Sequence, residues 1–159
     1  MDAEFINPFL SSVLNVLSTM ATIDAKPGKP AVKKDQIAHG DVTGIIGMAG
    51  KQARGTLAIS FPDAVLYEIT KRMIGEESGV NIDDYTADTA GEITNMVTGG
   101  AKRILSEKGY EFAMALPTVV SGKGHVVRHK PKVPVIIIPF ETHAGSFFIE
   151  ICFEKPNGS

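Results

Sequence analysis

The chain has 159 residues, 43% of them hydrophobic and 21% charged, enough apolar material for one domain over residues 1–159 to bury its own core without a metal or disulfide staple. Sixteen Lys and Arg against eighteen Asp and Glu leave a formal charge of −2, far from the basic balance with which nucleic-acid binders release counterions. A single cysteine, Cys152, and no apolar run near the ~18 residues of a membrane span set the expectation of a cytoplasmic protein with neither nucleic acid nor membrane as partner.

Acids at Asp2 and Glu4 stand where an export signal needs a basic region. Asn157-Gly158-Ser159 spells a glycosylation acceptor, which has no meaning without export. Apolar residues recur at helical spacing over 8–20, and Asn7-Pro8 predicts an N-cap followed by proline in the first turn, leaving Glu4 outside the helix. Prolines and glycine make 24–35 a linker, with a short strand at 31–34. Residues 42–49 and 55–61 alternate as the two arms of a hairpin. Pro62-Asp63 then opens a second helix that stops at Gly75, and Asp84 is expected to cap a third that runs to Lys108.

Four β-like runs follow, at 112–120, 125–128, 135–140 and 146–153. A shift of 90 residues lays Gly55-Thr56-Leu57-Ala58-Ile59 on Gly145-Ser146-Phe147-Phe148-Ile149, a faint internal repeat. Hairpins without strand-helix-strand alternation predict an α+β fold, an antiparallel sheet covered by long helices with a pseudo-twofold repeat. The apolar runs near the C-terminus are expected to leave a sheet edge free for a twofold partner, which makes a homodimer the expected assembly.

On a helical wheel the third helix turns Ile93, Val97, Ala101, Ile104 and Leu105 to one side and Asp88, Glu92, Asn95, Gly99, Lys102 and Arg103 to the other. A polar stripe is ordinary on an exposed helix. Asn and a Gly99-Gly100 pair are not, because each glycine costs ~1 kcal/mol against alanine inside a helix. Gly99 on the stripe lets another protein approach closely beside Asn95, and packing at Gly100 is an equal alternative. Other constellations are poor: His39, His125, His129 and His143 show no metal-ligand spacing and are expected at the surface. Gly47, Gly50 and Gly55 are followed by no Lys-Ser/Thr and form no phosphate loop.

Asp88-xxx-Glu92-xx-Asn95, with Pro117 twenty-two positions after the Asn and Thr118-Val119-Val120-Ser121-Gly122 behind it, resembles the signature of the CheC/CheX/FliY family of chemotaxis phosphatases. The likeness spans most of the chain, including Asn7 and the hairpin glycines that lead to Leu57-Ala58-Ile59-Ser60-Phe61. Chance yields a Glu-xx-Asn pair roughly 0.4 times per chain of this length, and Glu4–Asn7 is one, but a proline at one fixed distance lowers that to roughly 0.02. Position 29, twenty-two after Asn7, is Lys29. Ser12 and Asn15, the best match in the first helix, lack the Glu and the spaced Pro, so the resemblance is to the single-site, CheX-like members.

This resemblance implies a phosphatase acting on the aspartyl-phosphate of a CheY-like response-regulator receiver, a partner that supplies its own Mg2+, so that the chain needs no cofactor. It also implies a homodimer. Asn95 would position the attacking water and Glu92 would pair with a receiver cation, while Asp88 and Gly99 belong to the docking face. Pro117 is read as a structural residue that fixes the chain entering Thr118-Val119 and supports the helix from behind. The alternative is a non-enzymatic module that docks on a receiver or on flagellar-switch components. A small-ligand sensor within the sheet has no convergent polar groups in the apolar strands to support it.

Overall fold

Apolar periodicity decides the elements: a period near 3.6 builds three helices, and alternation builds the sheet on which they lie. The structure is a computed structural model describing residues 3–155; Met1, Asp2 and the Asn157-Gly158-Ser159 triplet lie outside them. Helix α1 (Ala3–Ala21) is followed by short strands β1 (Lys26–Pro27) and β2 (Ala31–Val32) and by the hairpin β3 (Val42–Ala49) and β4 (Arg54–Phe61). Helix α2 (Asp63–Ile74), two 3-10 turns (Glu76–Ser78 and Ile82–Tyr85) and helix α3 (Thr86–Glu107) come next. The chain then forms β5 (Ala113–Met114), β6 (Thr118–Ser121), β7 (Ile136–Thr142) and β8 (Gly145–Glu154). No helix among the described residues is long and apolar enough to cross a membrane.

All strand pairs are antiparallel, in the order β1-β7-β8-β4-β3-β5, with β2 also on β7 and β6 also on β3. The α+β class stands. Ile59 of β4 sits opposite Ile149 of β8, two residues 90 apart, so a twofold through that pair exchanges the two hairpins and the faint repeat is a repeat in space. The C-terminal arms do not leave a free edge: β8 lies inside the sheet, and β1 and β2 cover the outer side of β7 through pairs such as Lys26–Glu141 and Ala31–Ile137.

Several boundaries differ from the sequence expectation. Helix α1 runs back through Pro8 to Ala3, so Glu4 is helical. Buried Phe5 accounts for this, since its ring stacks on Phe153 at 5.5 Å and meets Tyr110 at 5.1 Å. Burial of such a side chain contributes ~1.5–3 kcal/mol, comparable to the ~3 kcal/mol that an interior proline costs. Asp84 does not cap α3; it belongs to the 3-10 turn before the helix, where the Asn81 carboxamide accepts from the Asp83 N–H at 3.3 Å. The run 112–120 splits into β5 and β6, and 125–128 is not a strand but a single bridge from Val126 to Ile37. Gly75 ends α2 as expected, at φ 91° with its N–H on the Lys71 carbonyl.

The helices cover one face of the sheet. Gly44 of β3 lies so close under α3 that a Cβ there would overlap the Thr94 hydroxyl. Thr94 and Thr98 are fully buried but donate to the carbonyls four residues back, Ala90 and Thr94, at 2.7 Å each. Helix α1 crosses α3 where Ser12 donates to the Val97 carbonyl at 2.7 Å, and a Cβ on Gly100 would overlap the Ser12 hydroxyl. Gly99 has open space around it. The glycine pair thus divides its roles, with Gly100 serving helix packing.

The other face is covered by an extended strap, residues 122–135. Here two of the histidines expected at the surface turn inward. His125 contacts the Thr43 hydroxyl through Nε2 at 2.6 Å. His129, with 3% of its side chain exposed, contacts Thr56 through Nδ1 and Glu150 through Nε2 at 3.0 Å. Glu150 also accepts from Lys33 at 2.8 Å. The strands therefore do hold convergent polar groups, and these satisfy one another. Burial pushes the Glu150 carboxyl up, but His129 and Lys33 outweigh burial and hold it below its ordinary value of 4.5.

Two predictions follow from these contacts. Gly99→Ala raises stability by up to ~1 kcal/mol, whereas Gly100→Ala lowers it by ~1–3 kcal/mol through overpacking, as urea denaturation midpoints will show. A depressed carboxyl stabilises the fold above its unfolded value near 4.5, and the contribution disappears as pH falls through the folded value. Lys33→Met, which leaves Glu150 short of a buried partner, costs ~3 kcal/mol at pH 7; that loss shrinks when denaturation is repeated near pH 3.

Candidate functional site

Helix α3 presents Asp88, Glu92 and Asn95 at spacings of four and three, so their side chains project from one exposed stripe. The helix keeps this orientation because Ile93, Val97, Ala101 and Leu105 are fully buried on the opposite side, with Thr94 and Thr98 beside them. Ile104 is only half-buried. No hydrogen bond or ion pair ties Asp88, Glu92 or Asn95 to any other described residue, so all three polar ends are free for a partner.

Beside the stripe lies an open groove of about 420 Å³, lined by Ala87, Asp88, Gly91, Glu92, Asn95, Leu116, Pro117 and Val119. Its second wall is the break between β5 and β6. The Ala115 N–H still reaches the Gly47 carbonyl at 3.0 Å. Pro117 then has no N–H to donate, and regular pairing resumes at Thr118 opposite Ile45. Leu116 is thrown outward in the interruption, 89% exposed. Pro117 thus lines the same groove as Asn95, beside the exposed stripe of the helix.

The structure brings Asp88, Glu92, Asn95 and Pro117 into one groove and leaves Gly99 one turn further along the helix, outside it. Ser12, which with Asn15 is the best match to the motif in the first helix, is buried in the α1–α3 contact. Sequence reasoning missed Leu116 and Gly91. Leu116 carried no signal, because an apolar residue before a strand reads as core. Gly91 did carry one, as a third glycine inside the helix: a Cβ there would come within 3.3 Å of Val119, so its absence lets β6 lie against α3. Among the described residues no three His, Cys, Asp or Glu side chains gather as a metal site.

Asn95 is exposed, helical and without a partner among the described residues, so Asn95→Ala leaves stability unchanged or raised by at most ~0.7 kcal/mol from helix propensity, with a thermal midpoint that does not fall. Differential scanning fluorimetry checks this, and a large loss of folded protein would contradict the placement.

Residues 42–141, from β3 to within β7, match the family model described as chemotaxis phosphatase CheX. The CheY-P phosphatase CheX of Thermotoga maritima is 32% identical over 124 residues, 77% of this chain and 79% of that protein. The crystal structure of the chemotaxis protein CheX from Vibrio vulnificus is 56% identical, covering 96% of this chain and 100% of that one with a TM-score of 0.86. The fold also matches a chain of the CheX–CheY–BeF3–Mg2+ complex from Borrelia burgdorferi, at 22% identity, 94% and 97% coverage and a TM-score of 0.75.

Proposed function

The chain belongs to the CheX family of chemotaxis phosphatases, and from that membership we propose that it hydrolyses the aspartyl-phosphate of a CheY-like receiver at the groove between α3 and β6. The observation that carries the reading is the unpaired Glu92–Asn95 stripe facing Pro117 across an open groove. The Thermotoga maritima relative is named for this activity, and a chain of the same fold occurs together with CheY, BeF3 and Mg2+.

An acyl phosphate is already reactive, so a helper need only hold a water in line with the phosphorus–oxygen bond to the aspartate. The water oxygen bonds to phosphorus as that bond breaks, and the aspartate carboxylate leaves with the bonding pair. The Asn95 carboxamide has one acceptor for a water proton and two donors for a phosphoryl oxygen, so it orients both without adding negative charge. A carboxylate in its place would repel the phosphoryl oxygens. Glu92, one turn away, suits a cation of the receiver and fixes the register of docking. Asp88 adds negative charge to the same end of the groove, and Leu116 offers an apolar contact on the opposite lip. The Mg2+ travels with the receiver in this scheme. A homodimer belongs to the same reading, as the resemblance to CheX-like proteins implies.

The test follows the decay of a phosphorylated CheY-like receiver in Mg2+, alone and with wild type, Asn95→Ala or Glu92→Lys. Wild type accelerates phosphate loss severalfold or more, and Asn95→Ala returns the decay close to that of the receiver alone, because the positioned polar group is removed. Glu92→Lys raises the receiver concentration needed for half-maximal rate by about tenfold, through charge reversal at the docking face. Full activity in Asn95→Ala overturns the water-positioning role, and receiver binding without turnover by wild type identifies a docking module.

A further inference from the structure

Half of the chain's sixteen Lys and Arg residues fall in two segments, 26–34 and 122–135, that contain no Asp or Glu; the other half share the remaining chain with all eighteen acids. The fold brings these segments together. The Lys33 N–H donates to the Val135 carbonyl at 2.9 Å, the Val127 N–H to Gln36 at 2.7 Å and the Ala38 N–H to His125 at 2.9 Å. The result is a cluster of cations along 122–135 and the adjoining sheet edge, with Glu141 opposite Lys26 and Glu150 paired to buried Lys33, on a chain whose remaining charge is acidic.

The strap gives that face a regular order. Val127 packs on Ala38 and Ala58, His129 reaches Thr56 and Glu150, and the Pro131 and Val133 carbonyls lie 3.6 Å from the Cys152 thiol. With residues 127, 129 and 131 turned inward, Arg128, Lys130 and Lys132 are all exposed on the outer side. At the head of this row Val126 and its bridge partner Ile37 are 45% and 46% exposed, an apolar step beside the cations. Asp35 stands nearby, with one carboxylate oxygen accepting from the Ile37 N–H at 2.9 Å. Glu150, beneath the strap, is occupied by Lys33 and His129.

We propose that this strap is a second docking surface, which takes an extended acidic segment of a partner protein, with acids at alternate positions and an apolar residue at one end. An extended peptide turns alternate side chains to one side, matching a row in which alternate residues carry the cations, and the apolar end meets Val126 and Ile37. A nucleic-acid backbone has no use for that apolar step, and an anionic membrane calls for a broader apolar face with aromatic residues than two half-exposed aliphatic side chains supply. Because the sheet separates the strap from the Asn95 groove, both surfaces can be occupied at once. The inference is independent of the phosphatase reading.

The test titrates the full chain into a fluorescein-labelled peptide, Val-Thr-Glu-Thr-Glu-Thr-Glu-Ser, at low salt, with fluorescence anisotropy as readout. A peptide of the same composition with its three Glu adjacent serves as control. Wild type and Asn95→Ala bind the alternating peptide equally and at least threefold more tightly than the control. The triple variant Arg128→Ser, Lys130→Ser, Lys132→Ser, whose exposed positions leave the thermal midpoint unchanged, binds at least tenfold more weakly. Absence of binding by wild type, or equal binding by the triple variant, overturns the proposal. Tighter binding to a duplex oligonucleotide or to phosphatidylserine vesicles overturns the choice of partner, and a changed oligomeric state of the triple variant in light scattering assigns the row to self-association instead.

Discussion

Everything at the groove depends on how closely α3 can lie on β3. Gly44 presents no side chain to the helix, and the space it leaves is filled by Thr94, whose hydroxyl is satisfied within the helix by the Ala90 carbonyl. At the far end Gly100 and Ser12 do the same for α1. These contacts set both the depth and the rotation of α3. Rotation decides which residues are free: were the helix turned by one residue's 100°, Ile93 would replace Glu92 on the exposed stripe. The site is thus specified by small residues that take no part in it.

The two faces of the sheet solve different problems. The helical face is closed by apolar side chains from α1, α2 and α3, with the buried threonine hydroxyls of α2 and α3 returned to their own helix and Ser12 donating across to α3. The opposite face is covered by the strap together with the segment 37–40 that pairs with it, and irregular chain leaves backbone groups and inward side chains to be satisfied individually. Thr43, Thr56, Ser60, His125, His129 and Glu150 accomplish this, each with a named partner. Such a network is specific about register, since a one-residue slip of the strap would present Arg128 or Lys130 to the buried Glu150 and expose His129.

Much of this was legible in the sequence, and the parts that were not share a cause. The hairpin, α2 with its terminal glycine, and the polar stripe of α3 are local patterns, and each occurs where its periodicity places it. The 90-residue repeat was visible because its two copies have the same alternation. What escaped depends on residues distant in the chain. Pro8 is tolerated inside α1 because Phe153 holds Phe5. His129 is buried because Glu150 and Lys33 wait for it, and the apparent strand 112–120 breaks where Pro117 interrupts its pairing to β3. The groove's polar wall could be read on a helical wheel; its other wall, with Leu116 projecting, could not, because nothing local distinguishes an exposed leucine from a buried one.

The pairing of β4 with β8 has a consequence for how the chain reaches this state. The two central strands are about ninety residues apart in the chain, as the Ile59–Ile149 pair shows, and the rings of Phe5 and Phe9 in the first helix come to rest against Phe153 in β8. The core cannot close until the final element arrives. Non-local topology of this kind makes for slow folding, because the entropy of closing a long loop is lost before the contacts that reward it form. During synthesis the apolar side of α1 and the inner edge of β4 stay uncovered while about ninety further residues are made, which puts the vulnerable period of this protein's life before its last strand is released from the ribosome.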